Sequence, residues 1–428
     1  MSFLYASIAF LILLLLNVPI AFTLGISGII YFITQSTIPI PIVAQRLAAG
    51  TQSFPLLAVP FFVLAGHLMN VSGITSRFIR LADSLVGHLP GSLAQVSCVL
   101  SMLMGGISGS SNADAAMETR ILLPEMRKRG YDDGFSAAVL ACSSLSTAII
   151  PPSIGLVLYG YVGQVSIGKL FVAGVIPGIL MGVTIMIVTH WKAIRKGYDL
   201  ERRDQKKSLK EIYEAFREAI WALMFPIFLI VTLRFGIFAP VEAAAFAVVY
   251  AIFVGKVIHR ELTWEKFLEA LLDTAEDNAV IMFIVSMAAI PMYALAFEKV
   301  PVKMSSLIIN LTNNPILIML AIMVLLLLAG MIMEGTVNTL LLTPILLPIV
   351  REAGFDPVHF GIIFAILIQL GGVTPPVGVN MYTVCSLGGI PVESFIRESI
   401  AYILALLALV ILLIFVPQLS LLLVGLMK

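Results

Sequence analysis

The sequence predicts an all-α polytopic membrane protein built from inverted repeats, each repeat carrying one re-entrant hairpin and one broken helix. Three observations predict it. Hydrophobic residues make up 60% and charged residues 12% of the 428, with a mean hydropathy of +1.04, far outside the soluble globular range. Two pairs of short apolar segments are joined without a polar loop. Two proline-containing stretches, TAIIPPSIGLVLY at 147–159 and TPPVGVNMY at 374–382, interrupt otherwise apolar chain.

Apolar segments lie near 2–33, 54–72, 92–107, 112–124, 135–162, 166–190, 219–235, 238–258, 278–298, 315–333, 337–350, 358–387 and 400–426. They lack the alternating ten-residue pattern of an outer-membrane barrel. The N-terminus MSFLYAS has no basic region of the kind that precedes a cleavable signal, so the first segment is expected to be retained. Cys98, Cys142 and Cys385 stand alone in apolar sequence and read as packing residues. A net charge of +1 gives no reason to expect nucleic acid. The resulting division is an N-terminal scaffold helix and connector (1–53), a first repeat (54–190), a basic linker (191–218), scaffold helices with an interfacial helix (219–277) and a second repeat (278–428).

The hairpins are expected at 92–124, where only SGSS separates two arms, and at 315–350, where only EGT does. Neither junction suits a bilayer surface, so each tip is expected to be buried in protein. The broken helices are expected at 135–162 and 358–387. SRFIRLADSLVGH places Phe78, Leu81, Ala82 and Leu85 on one helical face, and TWEKFLEALLDTAED does the same with Trp264, Phe267, Leu268, Leu271 and Leu272. Both read as helices lying in the membrane interface. The linker, basic from Lys192 through Lys210, is placed in the cytoplasm by the positive-inside rule. Counting crossings back puts Arg127, Lys128 and Arg129 on the same side, and counting forward puts the base of the second hairpin outside. The hairpins then enter from opposite faces, as inverted repeats require.

An offset of 224 residues superposes Pro151-Pro152 on Pro375-Pro376, Pro124 on Pro348, Arg127 on Arg351, Gly130 on Gly354 and Asp132 on Asp356; one residue of slippage then matches Gly155 with Gly378 and Tyr159 with Tyr382. An ordered series of this kind marks an internal repeat. Each break leaves carbonyls at one half-helix end and N–H groups at the next, costly against lipid and tolerable only where they line a cavity. Carbonyl ends suit a small hard cation such as Na⁺. Positive N-terminal ends suit a carboxylate. Two such pairs predict two cation sites flanking one substrate site.

GGISGSSNADAAMETRILLPEMRKRGY, STAIIPPSIGLVLYG, MEGTVNTLLLTPILLPI and GGVTPPVGVNMY resemble the large membrane subunit of TRAP (tripartite ATP-independent periplasmic) transporters, over essentially the whole chain. The resemblance implies an elevator-type, Na⁺-coupled secondary transporter of the bacterial inner membrane. It implies an organic-acid substrate, sialic acid being the first expectation, delivered by a periplasmic binding protein. It also implies a small four-helix membrane subunit, expected here as a separate polypeptide. Carried onto this sequence, the first cation site uses Ser108, Ser110, Asn112, Thr147 and Ile150, and the second Gly335, Thr336, Asn338, Gly372 and Thr374. Substrate is expected to meet Ser111, Ser146, Ser153, Thr336 and Asn380. A transport domain of hairpins and broken helices would slide against a scaffold of the long helices.

Structural roles compete for the same residues. Ser111 and Asp114 have capping-box spacing; the glycines 105, 106, 330, 371 and 372 suit close helix packing; His67 reads as a hydrogen-bonded packing residue. Asp114, Glu118 and Glu334 are functional candidates as intramembrane carboxylates, with roles left open. GISG at 106–109 matches an intramembrane serine protease pattern with Ser108 as nucleophile, but GISG recurs at 25–28, so the match carries little weight. An ion channel fits less well than alternating access. A stand-alone Na⁺/dicarboxylate symporter of similar architecture is the nearest transport alternative.

Overall fold

The structure, a computed structural model, describes residues 2–427 apart from 17, 36, 202–205 and 312–313. Its regular secondary structure is helical, with no strand among these residues. The apolar N-terminal run divides into two antiparallel helices, α1 (Ser2–Leu15) and α2 (Ile20–Thr34), with Pro19 at the cap of α2, followed by α3 (Pro41–Gly50). Proline lacks the amide that would continue the first helix. Next come α4 (Ala58–Val71) and α5 (Ile74–Val86).

The first repeat proper follows. Its hairpin is α6 (Ser92–Gly105) and α7 (Ser111–Lys128), and its broken helix is α8 (Asp133–Ser143), a 3-10 turn at Ser144–Ala148, and α9 (Ile154–Gly163); α10 (Ile167–Lys196) closes the unit. After the connecting helices α11 (Leu209–Arg234), α12 (Pro240–Phe253), α13 (Trp264–Phe297) and α14 (Val300–Leu311), the pattern returns. The second hairpin is α15 (Pro315–Ile332) and α16 (Gly335–Glu352), the second broken helix α17 (Pro357–Gly371) and α18 (Val379–Gly388), and α19 (Val392–Phe415) closes it. Helices α6 to α10 start at 92, 111, 133, 154 and 167 and α15 to α19 at 315, 335, 357, 379 and 392, so equivalent starts lie 223 to 225 residues apart. Asp132 and Asp356 cap α8 and α17 in the same way, each accepting hydrogen bonds from the amides two and three residues on.

Several expectations change. After the break the helix starts run 225 apart, so Gly378 stands opposite Ser153 and not opposite Gly155. Ser153 caps α9 with its side chain, whereas Gly378 caps α18 with a left-handed backbone (φ +48), where a Cβ would meet the Thr374 carbonyl at 2.9 Å. The amphipathic helix α5 does not turn its apolar face to acyl chains: Phe78, Leu81 and Ala82 are buried against the protein, with α6 and α11 as neighbours, while Leu85 is 43% exposed. Its charged face is also engaged, Arg77 with Glu261 at 2.8 Å and Arg80 with Glu218 at 2.7 Å. The second amphipathic stretch is no separate helix but the first turns of α13, which at 34 residues spans about 51 Å. The linker contracts to 197–208, because α10 continues through Lys196 and α11 begins at Leu209; residues 202–205 of that linker lie outside the described residues. Finally, α10 and α19 pack on α6, α8 and α17, so these two long helices join the hairpin and broken-helix unit instead of the scaffold.

Seven helices among the described residues are long and apolar enough to cross a bilayer. The outer surface suits lipid: α1 buries none of its side chains, and Leu15, Ile187, Val249 and Leu404 are all at least 60% exposed. The interior is a continuous apolar core that joins α4–α10 to α17–α19.

Candidate substrate and cation site

Glycine lets each hairpin tip reach its break. At Gly109 (φ +61) a Cβ would sit 2.4 Å from the Pro152 carbonyl, so the first tip lies against the first Pro–Pro corner with no room for a side chain. In the second repeat Gly330 of α15 and Gly371 of α17 touch backbone to backbone, a Cβ on Gly371 falling 2.4 Å from the Gly330 carbonyl carbon. The Met331 carbonyl there accepts from the Val377 and Gly378 amides, both at 3.2 Å. Small residues thus fix tip and break together, which is the close-packing role expected of them.

Between the tips lies a cavity of about 620 Å³. The N-terminal ends of four helices line it: α7 through Ser110 and Ser111, α9 through Ile154 and Gly155, α16 through Glu334 and Gly335, and α18 through Val379 and Asn380. Helix N-termini present unpaired N–H groups and the positive end of the helix dipole. No lysine or arginine is among the described residues lining this space; His67 is its one basic side chain. Hydrogen bonds at the cavity tie the repeats together: Ser111 Oγ donates to Gln369 Oε1 at 2.6 Å, Thr383 Oγ1 donates to Asn112 Oδ1 at 2.6 Å, and Asn380 Nδ2 donates to Ser144 Oγ at 3.5 Å. The opposite wall is formed by α4 and α13, where His67 Nε2 lies 2.8 Å from Asp277 Oδ2.

The sequence-derived residues divide into two groups. Ser108, Ser110, Ser111, Asn112, Gly335, Thr336, Gly372 and Asn380 all line the cavity. Thr147, Ile150, Asn338, Thr374, Ser146 and Ser153 stand behind it. Of these, Ser146 and Ser153 donate to the Ser143 and Ala148 carbonyls, Thr374 Oγ1 donates to the Leu370 carbonyl at 2.7 Å, and Asn338 Nδ2 donates to the Met333 carbonyl at 2.8 Å. The break in the second repeat is partly self-satisfied, because the Gly372 carbonyl accepts from the Asn380 and Met381 amides at 2.9 and 3.2 Å. Sequence reading did not name Gln369, and it read His67 as a hydrogen-bonded packing residue, which the bond to Asp277 matches. Gln369, the lone amide near the end of the apolar run FGIIFAILIQL, carried a usable signal; Asp277, within a charged stretch, carried none.

The donor set fits Na⁺. Ser108 Oγ at the first tip and Asn338 Oδ1 behind the second are buried oxygens without a hydrogen-bond partner. Hard oxygen donors with open lone pairs, amid main-chain carbonyls, are what a small alkali cation requires. Ser108 Oγ has no hydrogen-bond partner, so no imidazole is held to it as the base that the protease pattern requires.

An inverted-repeat helical fold with paired hairpins and broken helices around a central cavity is an architecture of membrane transporters. Comparison with solved structures agrees on the fold: the chain is similar to the crystal structure of the Alcanivorax borkumensis YdaH transporter, with a TM-score of 0.65 and 14% identity over 96% of this chain and 98% of that one. Residues 7–419 match the family model of the tripartite ATP-independent periplasmic transporter, DctM component, and the chain belongs to this family. It is 38% identical to the 2,3-diketo-L-gulonate TRAP transporter large permease protein of Escherichia coli over 95% of both chains. It is 37% identical to the sialic acid TRAP transporter large permease protein of Vibrio cholerae over 96% of both. It is therefore a multi-pass inner-membrane permease subunit for solute uptake and not an enzyme. The family implies a small membrane subunit and a periplasmic binding protein as partners.

Proposed function

We propose that this subunit carries out Na⁺-coupled uptake of an organic acid, handed over by a periplasmic binding protein, by an elevator movement of the hairpin and broken-helix unit. The observation that carries this reading is the convergence of four helix N-termini on a cavity without lysine or arginine. Main-chain amides and hydroxyls recognise a carboxylate there without a fixed side-chain cation. Ser111, Gln369, Asn380 and Thr336 are the groups we assign to the substrate. Ser111 donates its proton to Gln369 at 2.6 Å, which leaves the Gln369 amide N–H groups to donate, and the Ser111 oxygen to accept, toward a hydroxylated acid.

Ser108, Ser110, Asn112, Thr147 and Ile150 would hold one Na⁺, and Gly335, Thr336, Asn338, Gly372 and Thr374 a second. When bound, Na⁺ supplies the positive charge that the lining lacks. The chain's own contribution is to order its tips: the contacts of Gly109 on Pro152 and of Gly330 on Gly371 make each tip and break a single element. Ligands that bind the ordered tips better than the open ones are coupled through that difference alone.

The two relatives named above take diketogulonate and sialic acid, both hydroxylated acids, which supports an organic acid here. Proteoliposome uptake with a panel of acids, an imposed Na⁺ gradient, and the binding protein and small subunit added or omitted tests the proposal. Uptake of one acid that needs the gradient and both partners supports it. Uptake by this chain alone supports a stand-alone symporter instead.

A further inference from the structure

Asp114 and Glu118 lie one turn apart on α7 and are 1% and 0% exposed. Neither has an ion-pair partner among the described residues; the groups facing them are hydroxyls. Glu118 accepts from Ser97, and from Ser101 at 2.8 Å, with Ser143 Oγ 3.5 Å away. Asp114 Oδ2 accepts from Thr147 Oγ1 at 2.7 Å, and Ser97 and Ser143 hydroxyls touch each other at 2.8 Å. Asp114 Oδ1 has no partner at all, and Asp114 lines the central cavity. Two carboxylates are thus enclosed in a shell of hydroxyl oxygens, with one buried carboxylate oxygen, Asp114 Oδ1, left without a partner.

Packing does not require this cluster. At the equivalent places the second repeat has Asn338 for Asp114, Leu342 for Glu118, Leu320 and Val324 for Ser97 and Ser101, Leu367 for Ser143 and Gly371 for Thr147. The second repeat keeps the same element order with no carboxylate at any of these places. Buried charge that the fold does not need, and that no basic residue balances, calls for a counter-ion. The shell offers hard oxygen donors and no nitrogen, the chemistry of an alkali or alkaline-earth cation.

We propose that Asp114 and Glu118, with the hydroxyls of Ser97, Ser101, Ser143 and Thr147, form an additional buried Na⁺ site present only in the first repeat. The inference rests on the Na⁺-coupled reading above, since Asp114 borders the same cavity. It makes the two halves of the transporter chemically unequal. The first repeat contributes two carboxylates to cation binding, and the second site named above contributes only neutral oxygens.

The test is a count of ²²Na⁺ bound at saturation by the purified complex of this chain with its small subunit, for wild type, Glu118→Gln and Asp114→Asn. The expected count is three Na⁺ per wild-type complex and one fewer in each variant, with the Na⁺-to-substrate ratio in proteoliposomes falling by one as well. Asp114→Asn copies the residue of the second repeat and serves if Glu118→Gln does not assemble; the wild-type count stands without either. Two Na⁺ in wild type, unchanged in the variants, overturns the site while leaving Na⁺ coupling intact. Bound ⁴⁵Ca²⁺ at this cluster, or a substitution that removes co-transported H⁺ and no Na⁺, also overturns it. A wild-type complex that binds no Na⁺ overturns the underlying reading itself.

Discussion

Gly371→Ala is the substitution that loads the proposed coupling most directly. A Cβ at 371 would lie 2.4 and 2.5 Å from the carbonyl carbon and Cα of Gly330 and 2.8 Å from the Met331 amide nitrogen. These are backbone atoms, so no rotamer change relieves the clash, and α15 has to retreat by roughly 1 Å to reach ordinary contact. Overpacking of this kind costs about 1–3 kcal/mol. The cost falls on the state in which tip and break are joined, and the bonds from Val377 and Gly378 to the Met331 carbonyl loosen with it. If Na⁺ binding requires that state, the Na⁺ concentration for half-maximal uptake rises by roughly 5–150-fold. The assay is uptake in proteoliposomes against Na⁺ concentration, with co-purification of the small subunit as the measure of assembly. Gly168→Ala is the control, since its Cβ meets nothing closer than 3.9 Å. Unchanged Na⁺ activation in a Gly371→Ala complex would refute the reasoning that tip closure and cation binding are one event.

Other substitutions separate the remaining roles. Gln369→Leu removes the acceptor for Ser111 and one substrate-facing amide, so KM for the acid should rise about 10-fold or more with Na⁺ activation little changed, read from uptake at saturating Na⁺. Thr374→Val should raise the Na⁺ requirement while assembly persists, and equal Na⁺ activation would remove the hydroxyl from the second site. At the loop between α7 and α8, against the cost of burial, the Gly134 amide, Lys196 and the Phe135 amide hold the Asp132 carboxyl below its ordinary value. A depressed carboxyl stabilises the fold above its unfolded pKa and loses that effect as pH falls through the folded one. Asp132→Asn keeps the cap and removes the charge, so its thermal stability should trail wild type at neutral pH and meet it only once the pH has fallen through the lowered folded pKa, beneath the ordinary carboxyl value of about 3.9.

Hydropathy and punctuation made most of the architecture legible. Proline pairs, the short SGSS and EGT junctions and the run of matched Gly, Pro and Asp residues placed both hairpins and both breaks to within a few residues. Such residues act locally, through a missing amide, a positive φ or a cap, and local effects are written in local sequence. What the sequence misplaced depends on tertiary neighbours. Nothing in SRFIRLADSLVGH tells an apolar face against lipid from one against α6 and α11, and nothing in the length of α10 or α19 says which unit it packs on. The site divides the same way. Residues at the tips reached the cavity, whereas Ser146, Ser153 and Thr374 spend their protons on nearby carbonyls, the usual fate of hydroxyls beside a helix interruption. His67 and Asp277 meet across 210 residues of sequence, a pairing no local pattern announces.

The account is tested most directly by a density map of the complex with its small subunit, prepared with saturating Na⁺ and a transported acid. It predicts the carboxylate of the acid among the four helix N-termini, beside Ser111, Gln369 and Asn380, with Na⁺ density at each hairpin tip. Acid density outside this cavity, or tips that stay unchanged when Na⁺ is replaced by choline, would contradict it.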